Sequence, residues 1–74
     1  GTNRPEVMLE SIAAFCTTAD QIKEKLAGGE RRLARDRAVA LTGLVQQLER
    51  DARVDAARVS DVKRRLDEVV DALL

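Results

Sequence analysis

This 74-residue chain has no histidine, tryptophan or tyrosine, and only one phenylalanine, one cysteine, one proline and one methionine. Without histidine it lacks the usual general base and a common metal ligand. With Phe15 as its single aromatic residue, it offers almost no platform on which nucleic-acid bases could stack. Because no catalytic constellation or metal-ligand spacing is present either, the sequence predicts a protein that is not an enzyme and uses no cofactor.

The chain also lacks an excess of charge of either sign, since 13 Lys and Arg balance 13 Asp and Glu. This balance argues against a general nucleic-acid binder. No signal peptide and no run of about 18 apolar residues is present, so we expect a soluble, cytoplasmic protein that does not enter a membrane. Cys16 cannot form an internal disulfide, and we expect it to be a small buried side chain, with a reactive or intersubunit thiol as the alternative.

What the chain does have is an apolar heptad, whose residues recur at intervals of three and four. The first part contains Met8, Ile12, Phe15, Ala19, Ile22 and Leu26. The second part contains Leu41, Val45, Leu48, Ala52, Val59, Val62, Leu66, Val69 and Leu73, with Asp55 as its polar member. This spacing is typical of coiled coils and helical bundles, so the predicted fold class is all-α.

The ends of a first helix can be read from local signals, which place it over residues 5–27. Asn3 can cap it, with Glu6 in capping-box spacing, and Pro5 lies in the first turn, where a missing N–H costs nothing. A Gly-Gly turn at 28–29 ends the helix, because glycine adopts the left-handed conformation readily. We expect residues 1–74 to form a single helical domain.

Two arrangements are possible for the rest of the chain. In the favoured one, residues 30–74 form one helix about 67 Å long, which can bend near residues 51–55. The chain is then an antiparallel hairpin of a short and a long helix. The preserved heptad phase supports this model. In the alternative, the chain turns near 51–55, Asp55 caps a third helix, and segments 5–27, 30–51 and 55–74 form a compact three-helix bundle.

The hairpin model leaves half of the long helix uncovered, which predicts an association surface. The interaction seam would consist of Leu41, Val45, Leu48, Val59, Val62, Leu66, Val69 and Leu73. Burying this seam against a second copy would give a homodimeric coiled coil or four-helix assembly, and a helix of another protein could serve in its place. If the chain turns near Asp55, the seam closes on itself instead.

Four arginines near the start of the second helix form a possible patch for an acidic partner: Arg31, Arg32, Arg35 and Arg37. Cations at a helix N-terminus interact unfavourably with the helix dipole, so we expect another interaction to compensate for this cost. Acidic residues at the end of the first helix, Asp20 and Glu24, could do so. An acidic protein partner and RNA or phosphate are the other interpretations.

Two segments resemble parts of known families. Residues 39–42 (VALT) and 54–66 (VDAARVSDVKRRL) resemble part of the flagellar anti-sigma factor family, which implies that Arg58, Val59, Val62 and Leu66 lie on a helix that wraps a sigma factor. The Gly-x-Tyr turn of that family is missing, since residues 67–70 continue the helix. Residues 48–66 also resemble the helical docking segments of modular polyketide synthases.

The predicted function is therefore a non-catalytic helical module for protein–protein interaction and oligomerisation. The alternatives are a small regulator or secretion chaperone that wraps a client protein, and a docking segment of a larger multidomain assembly. A wrapping protein should be poorly helical alone.

Overall fold

The computed structural model describes residues 3–74, which form three α-helices and no strand. Helix α1 spans Arg4–Ile22 and is followed by a 3-10 turn at Lys23–Lys25. Helix α2 spans Gly28–Leu48, and helix α3 spans Ala56–Leu73. The all-α class is confirmed, and the three helices are consistent with the alternative prediction of a compact bundle. The predicted domain also included residues 1 and 2, which lie outside the described residues.

Helix α1 begins where the capping signal predicts. The side chain of Asn3 accepts a hydrogen bond from the backbone N–H of Glu6 at 3.3 Å, and Pro5 lies in the first turn. The amide of Asn3 also donates to the carbonyl oxygen of Arg53 at 2.9 Å. One polar side chain therefore caps α1 and ties its start to the loop between α2 and α3.

The break between α1 and α2 lies before the two glycines, so the predicted Gly-Gly turn at 28–29 is shifted. Leu26 and Ala27 are extended, and Gly28 has a φ of 55° as the first residue of α2. Half-buried Leu26 packs against the core, which pulls the chain out of the helix earlier than residue 27. Gly28 then reverses the chain in a conformation that other residues adopt only with strain.

The chain turns between α2 and α3, so the predicted continuous helix over residues 30–74 is not formed. Asp51 accepts the backbone N–H of Arg53 at 2.9 Å, and both of its carboxylate oxygens accept from the guanidinium of Arg53. Asp55 then caps α3 by accepting the N–H of Ala57 at 2.9 Å. Two aspartates thus supply a local turn and a helix start, which is the chemistry these residues favour outside helices.

The heptad continues through this turn only by coincidence. Ala52 and Asp55, which carry its phase from α2 to α3, are both exposed. Val54 lies between them in sequence, is buried, and fills the end of the core. Because Ala52 is small and Asp55 is charged, neither buries apolar surface that a turn at these positions would expose.

The core is built around the apolar stripe of α3, which packs against both α1 and α2. Five of its side chains are no more than 2% exposed: Val59, Val62, Leu66, Val69 and Leu73. A long helix would expose this stripe at about 1.5–3 kcal/mol per large side chain, which together rivals the whole stability of a small domain. Closing the chain on itself avoids that loss, and the expectation that residues 55–74 need an external cover is corrected.

Candidate functional site

Most of the predicted interaction seam lies inside the bundle. Val45, Leu48 and the five buried residues of α3 are no more than 5% exposed, and Leu41 alone is half-buried. Side chains that fill the core of one chain cannot also meet a partner. The contacts that the anti-sigma resemblance implies for Val59, Val62 and Leu66 are likewise taken up within the chain.

The first helix has a wider apolar face than the core uses. Its buried side chains are Leu9, Ile12, Ala13, Cys16 and Ala19, together with Pro5. Met8, Phe15 and Ile22, one heptad apart, form the edge of this face. Met8 is 41% exposed, Ile22 is 39% exposed and Phe15 is half-buried. The sequence placed all three in the apolar heptad, whereas the structure leaves them partly uncovered, with Met8 and Phe15 at the border with α2.

A groove runs between α1 and α2, the two helices that contact each other least. We call it the α1–α2 groove, and its lining is mainly apolar: Met8, Ser11, Ile12, Phe15, Leu33, Ala34, Arg37, Leu41 and Leu44. Leu33 is 71% exposed, which is unusual beside so many other apolar side chains. A contiguous apolar surface of this kind is a natural candidate for a site of association.

Polar contacts bridge the other two helix pairs. Between α1 and α3, the guanidinium of Arg58 donates to both carboxylate oxygens of Glu10 at 2.8 and 3.0 Å, and Arg65 donates to the hydroxyl of Thr17 at 2.8 Å. The hydrogen bond from Arg58 lowers the pKa of Glu10. On the α3 side of α2, Lys63 lies 3.3 Å from the carboxylate of Glu49, directly after α2.

The α1–α2 groove has no such bridge. Among residues 3–74, the side-chain contact that links these two helices is the hydrogen bond from Arg31 to the carbonyl oxygen of Lys23, directly after α1. No side-chain hydrogen bond or ion pair of the described residues crosses the groove itself, between residues 8–15 of α1 and residues 33–44 of α2. Arg37 lies within the groove and forms no ion pair with any of these residues. The groove is therefore apolar and is crossed by no side-chain polar contact of the described residues, in contrast to the other two helix pairs.

The predicted arginine patch is divided by the structure. Arg31 donates to the carbonyl oxygens of Lys23, at 3.0 Å, and of Ala72, so it binds the free carbonyl end of α3. The guanidinium of Arg35 lies 3.7 Å from the carboxylate of Asp36, and Arg32 is exposed. Arg37 is the member that lines the groove. The four side chains thus have different surroundings, and their role as a patch for an acidic partner stays a prediction.

Asp20, one of the acids expected to offset the arginines, instead lies 3.6 Å from Lys23. The offset for Arg31 comes from backbone carbonyl groups, which the sequence alone does not reveal. Attraction to the carboxyl-terminal end of α3 compensates for the unfavourable position of Arg31 near the amino-terminal end of α2.

Cys16 is fully buried in the core, as predicted, and this burial raises the pKa of its thiol. A buried thiol with a raised pKa is a poor nucleophile. Within the described part of the chain, no group of three or more His, Cys, Asp or Glu side chains could hold a metal ion. None of the helices of residues 3–74 is long and apolar enough to cross a membrane.

Leu33 and Leu44 line the groove but lie outside the predicted heptad, although the sequence carries a signal for them. Residues 30, 33, 37, 40 and 44 recur at intervals of three and four, which is the spacing of a second stripe along α2. Glu30 and Arg37 interrupt its apolar character, and Arg37 was counted with the neighbouring arginines.

Comparison with known proteins adds no family to this description. No protein-family model matches the chain, and no curated protein or solved structure matches it significantly.

Proposed function

We propose that this protein is a non-catalytic helical module for protein–protein interaction that acts through the α1–α2 groove. The observation that carries the proposal is the combination of a contiguous apolar lining with a groove that no side-chain polar contact of residues 3–74 crosses. Elsewhere the core is closed by apolar packing and by ion pairs. The groove is the surface that would gain most from a cover.

The shape of the groove favours a helical partner. Two helices that diverge beside an apolar core present a seat for a further helix, whose apolar face would complete a bundle of at least four helices. Such a helix would place apolar residues at intervals of three and four over Phe15, Leu33 and Leu44. It could belong to a second copy of this chain or to another protein, so dimerisation and a regulatory interaction both fall within the proposal.

The side chains of the groove support an interaction role over a catalytic one. Its polar members are Ser11 and Arg37, and the 74-residue sequence has no histidine that could activate the serine. The absence of a paired base leaves Ser11 an ordinary hydroxyl. A single buried cysteine suits a cytoplasmic location for the module.

Closed packing also favours an interaction module over a protein that folds around its client. A client-wrapping chain leaves its apolar stripes free to take up the partner. Here the principal stripe of α3 is already buried by α1 and α2. The apolar surface of the α1–α2 groove suits the docking of a helix and offers too little to wrap a whole protein.

Site-specific photo-crosslinking in the cells that produce the protein tests this proposal. A photoreactive residue at Leu33, inside the groove, is compared with one at Val39, which is 51% exposed but lies outside the groove lining. We expect protein adducts from position 33 and none from position 39. Equal labelling at both positions, or no adduct from position 33, would refute the proposal.

A further inference from the structure

We infer that the α1–α2 groove is occupied by a second copy of this chain, with the two α2 helices antiparallel about a twofold axis that passes beside Leu33. The inference rests on the proposed function and deepens it by naming the partner. It is argued from three features of α2: the exposure of Leu33, the charges on either side of it, and the surface that a dimer would cover.

Leu33 is the most exposed apolar side chain of the groove, at 71%, and it lines the same concavity as Phe15, Ala34 and Arg37. Near a twofold axis a protruding side chain meets the same region of the other copy, so each Leu33 can enter the concavity beside the other copy's Phe15. One protrusion and one hollow in the same patch make the surface self-complementary, as an isologous interface requires.

The charges of this stripe are complementary under the same symmetry. Glu30 and Arg37 lie on either side of Leu33, seven residues and about 10.5 Å apart along α2. Neither forms an ion pair with any residue of the described range 3–74. An antiparallel pairing centred between Leu33 and Ala34 brings each Glu30 opposite the other copy's Arg37. The axis that buries Leu33 thus also pairs both charges, and each contact occurs twice.

A dimer of ordinary size would cover a modest part of the molecular surface. The chain exposes 5039 Å2, so a standard interface of about 800 Å2 per partner would cover about one-sixth of it. Helix α2 is 21 residues long, and the molecule is 40 Å in its longest dimension. With the axis between Leu33 and Ala34, residues 28–39 of one α2 lie opposite residues 28–39 of the other, so the symmetric contact is centred on the Leu33 end of the groove.

Sedimentation equilibrium of the purified chain over micromolar to high-micromolar concentrations tests the partner. We expect a monomer–dimer equilibrium for the wild type and a monomer for Leu33→Asp. Val39→Asp, which places the same charge on the same helix outside the groove, should dimerise like the wild type. Circular dichroism must show that both variants retain their helices, which is expected because both residues are exposed.

A charge-exchange experiment tests the antiparallel register. Glu30→Arg alone and Arg37→Glu alone each place like charges opposite each other, and each should weaken the dimer about tenfold or more. An equimolar mixture of these two variants pairs opposite charges at both sites. We expect the mixture to form a heterodimer of near wild-type affinity. The variant that carries both substitutions should form a homodimer of similar affinity. No recovery in the mixture would overturn the register.

A wild-type chain that stays monomeric at high-micromolar concentration, or a Leu33→Asp variant that still dimerises, would overturn the inference. The photo-crosslinking experiment separates this failure from a failure of the proposed function. An adduct of twice the chain mass at position 33 supports the second copy. An adduct of another mass refutes the second copy and leaves the interaction module standing, whereas no adduct refutes the module itself.

Discussion

At the scale of single residues, Gly28 and Gly43 lie in the same helix but have opposite roles. Gly28 has a φ of 55°, and a Cβ added there would meet no atom within 4 Å, so only its backbone conformation resists substitution. Gly28→Ala should lower the free energy of unfolding by about 1–2 kcal/mol. Gly43 is helical and equally open, so Gly43→Ala should raise it by about 0.4–1 kcal/mol. Urea denaturation of both variants measures the two effects, and changes of the same sign would contradict this assignment.

Asp55 gives a second prediction at this scale, because its carboxylate satisfies the N–H of Ala57 at the start of α3. Asp55→Ala should lower the free energy of unfolding by about 1 kcal/mol, as the loss of an N-cap usually does. Ser60→Ala is the matched control, since Ser60 is exposed inside α3 and should change stability by less than about 0.5 kcal/mol. Chemical denaturation compares the two. Equal effects would show that α3 does not depend on this cap.

At the scale of helices, the ion pair between Glu10 of α1 and Arg58 of α3 makes the contact between them depend on pH. Arg58 lowers the pKa of Glu10 from its ordinary value of 4.5, so the pair stabilises the fold fully above that pH. Its contribution is lost as the pH falls through the lower pKa of the folded chain. Glu10 is exposed and Arg58 is only half-buried, so the effect should be small and weakened by salt. The free energy of unfolding should fall less between pH 7 and pH 3 in Glu10→Gln than in the wild type, and identical pH profiles would contradict this role.

The elements were predictable where a local signal defines them. Asn3 fixed the start of α1 because a capping side chain acts within three residues. The turn at 49–55 was not the favoured prediction, because Ala52 and Asp55 happened to keep the heptad phase while contributing no burial. The decisive factors were the hydrogen bonds of Asp51 and the packing of Val54 against distant residues. Periodicity shows which residues share one face of a helix, but it does not show whether a later segment of the chain folds back and covers that face.

At the scale of the whole molecule, the candidate site follows from the number of helices. A hairpin would have exposed the stripe of α3, whereas the bundle buries it and leaves an excess of apolar surface between α1 and α2. The exposed residues of that surface, Leu33 above all, could not be assigned from sequence until the order of packing was known. The apolar content predicts an interaction module, but the position of its candidate surface depended on tertiary structure.

Solution scattering distinguishes the two architectures when dimerisation is removed. The Leu33→Asp variant, as a monomer, should have a radius of gyration slightly above the 12.6 Å of the Cα atoms and a maximum dimension near the 40 Å of the bundle. A continuous helix over residues 30–74 would extend about 67 Å, well beyond this envelope. Val39→Asp at the lowest measurable concentration provides the matched comparison. A maximum dimension above 60 Å in the Leu33→Asp monomer would show that α2 and α3 form one continuous helix in solution. The α3 stripe would then be available to a partner, and the interaction surface would lie there instead of in the α1–α2 groove.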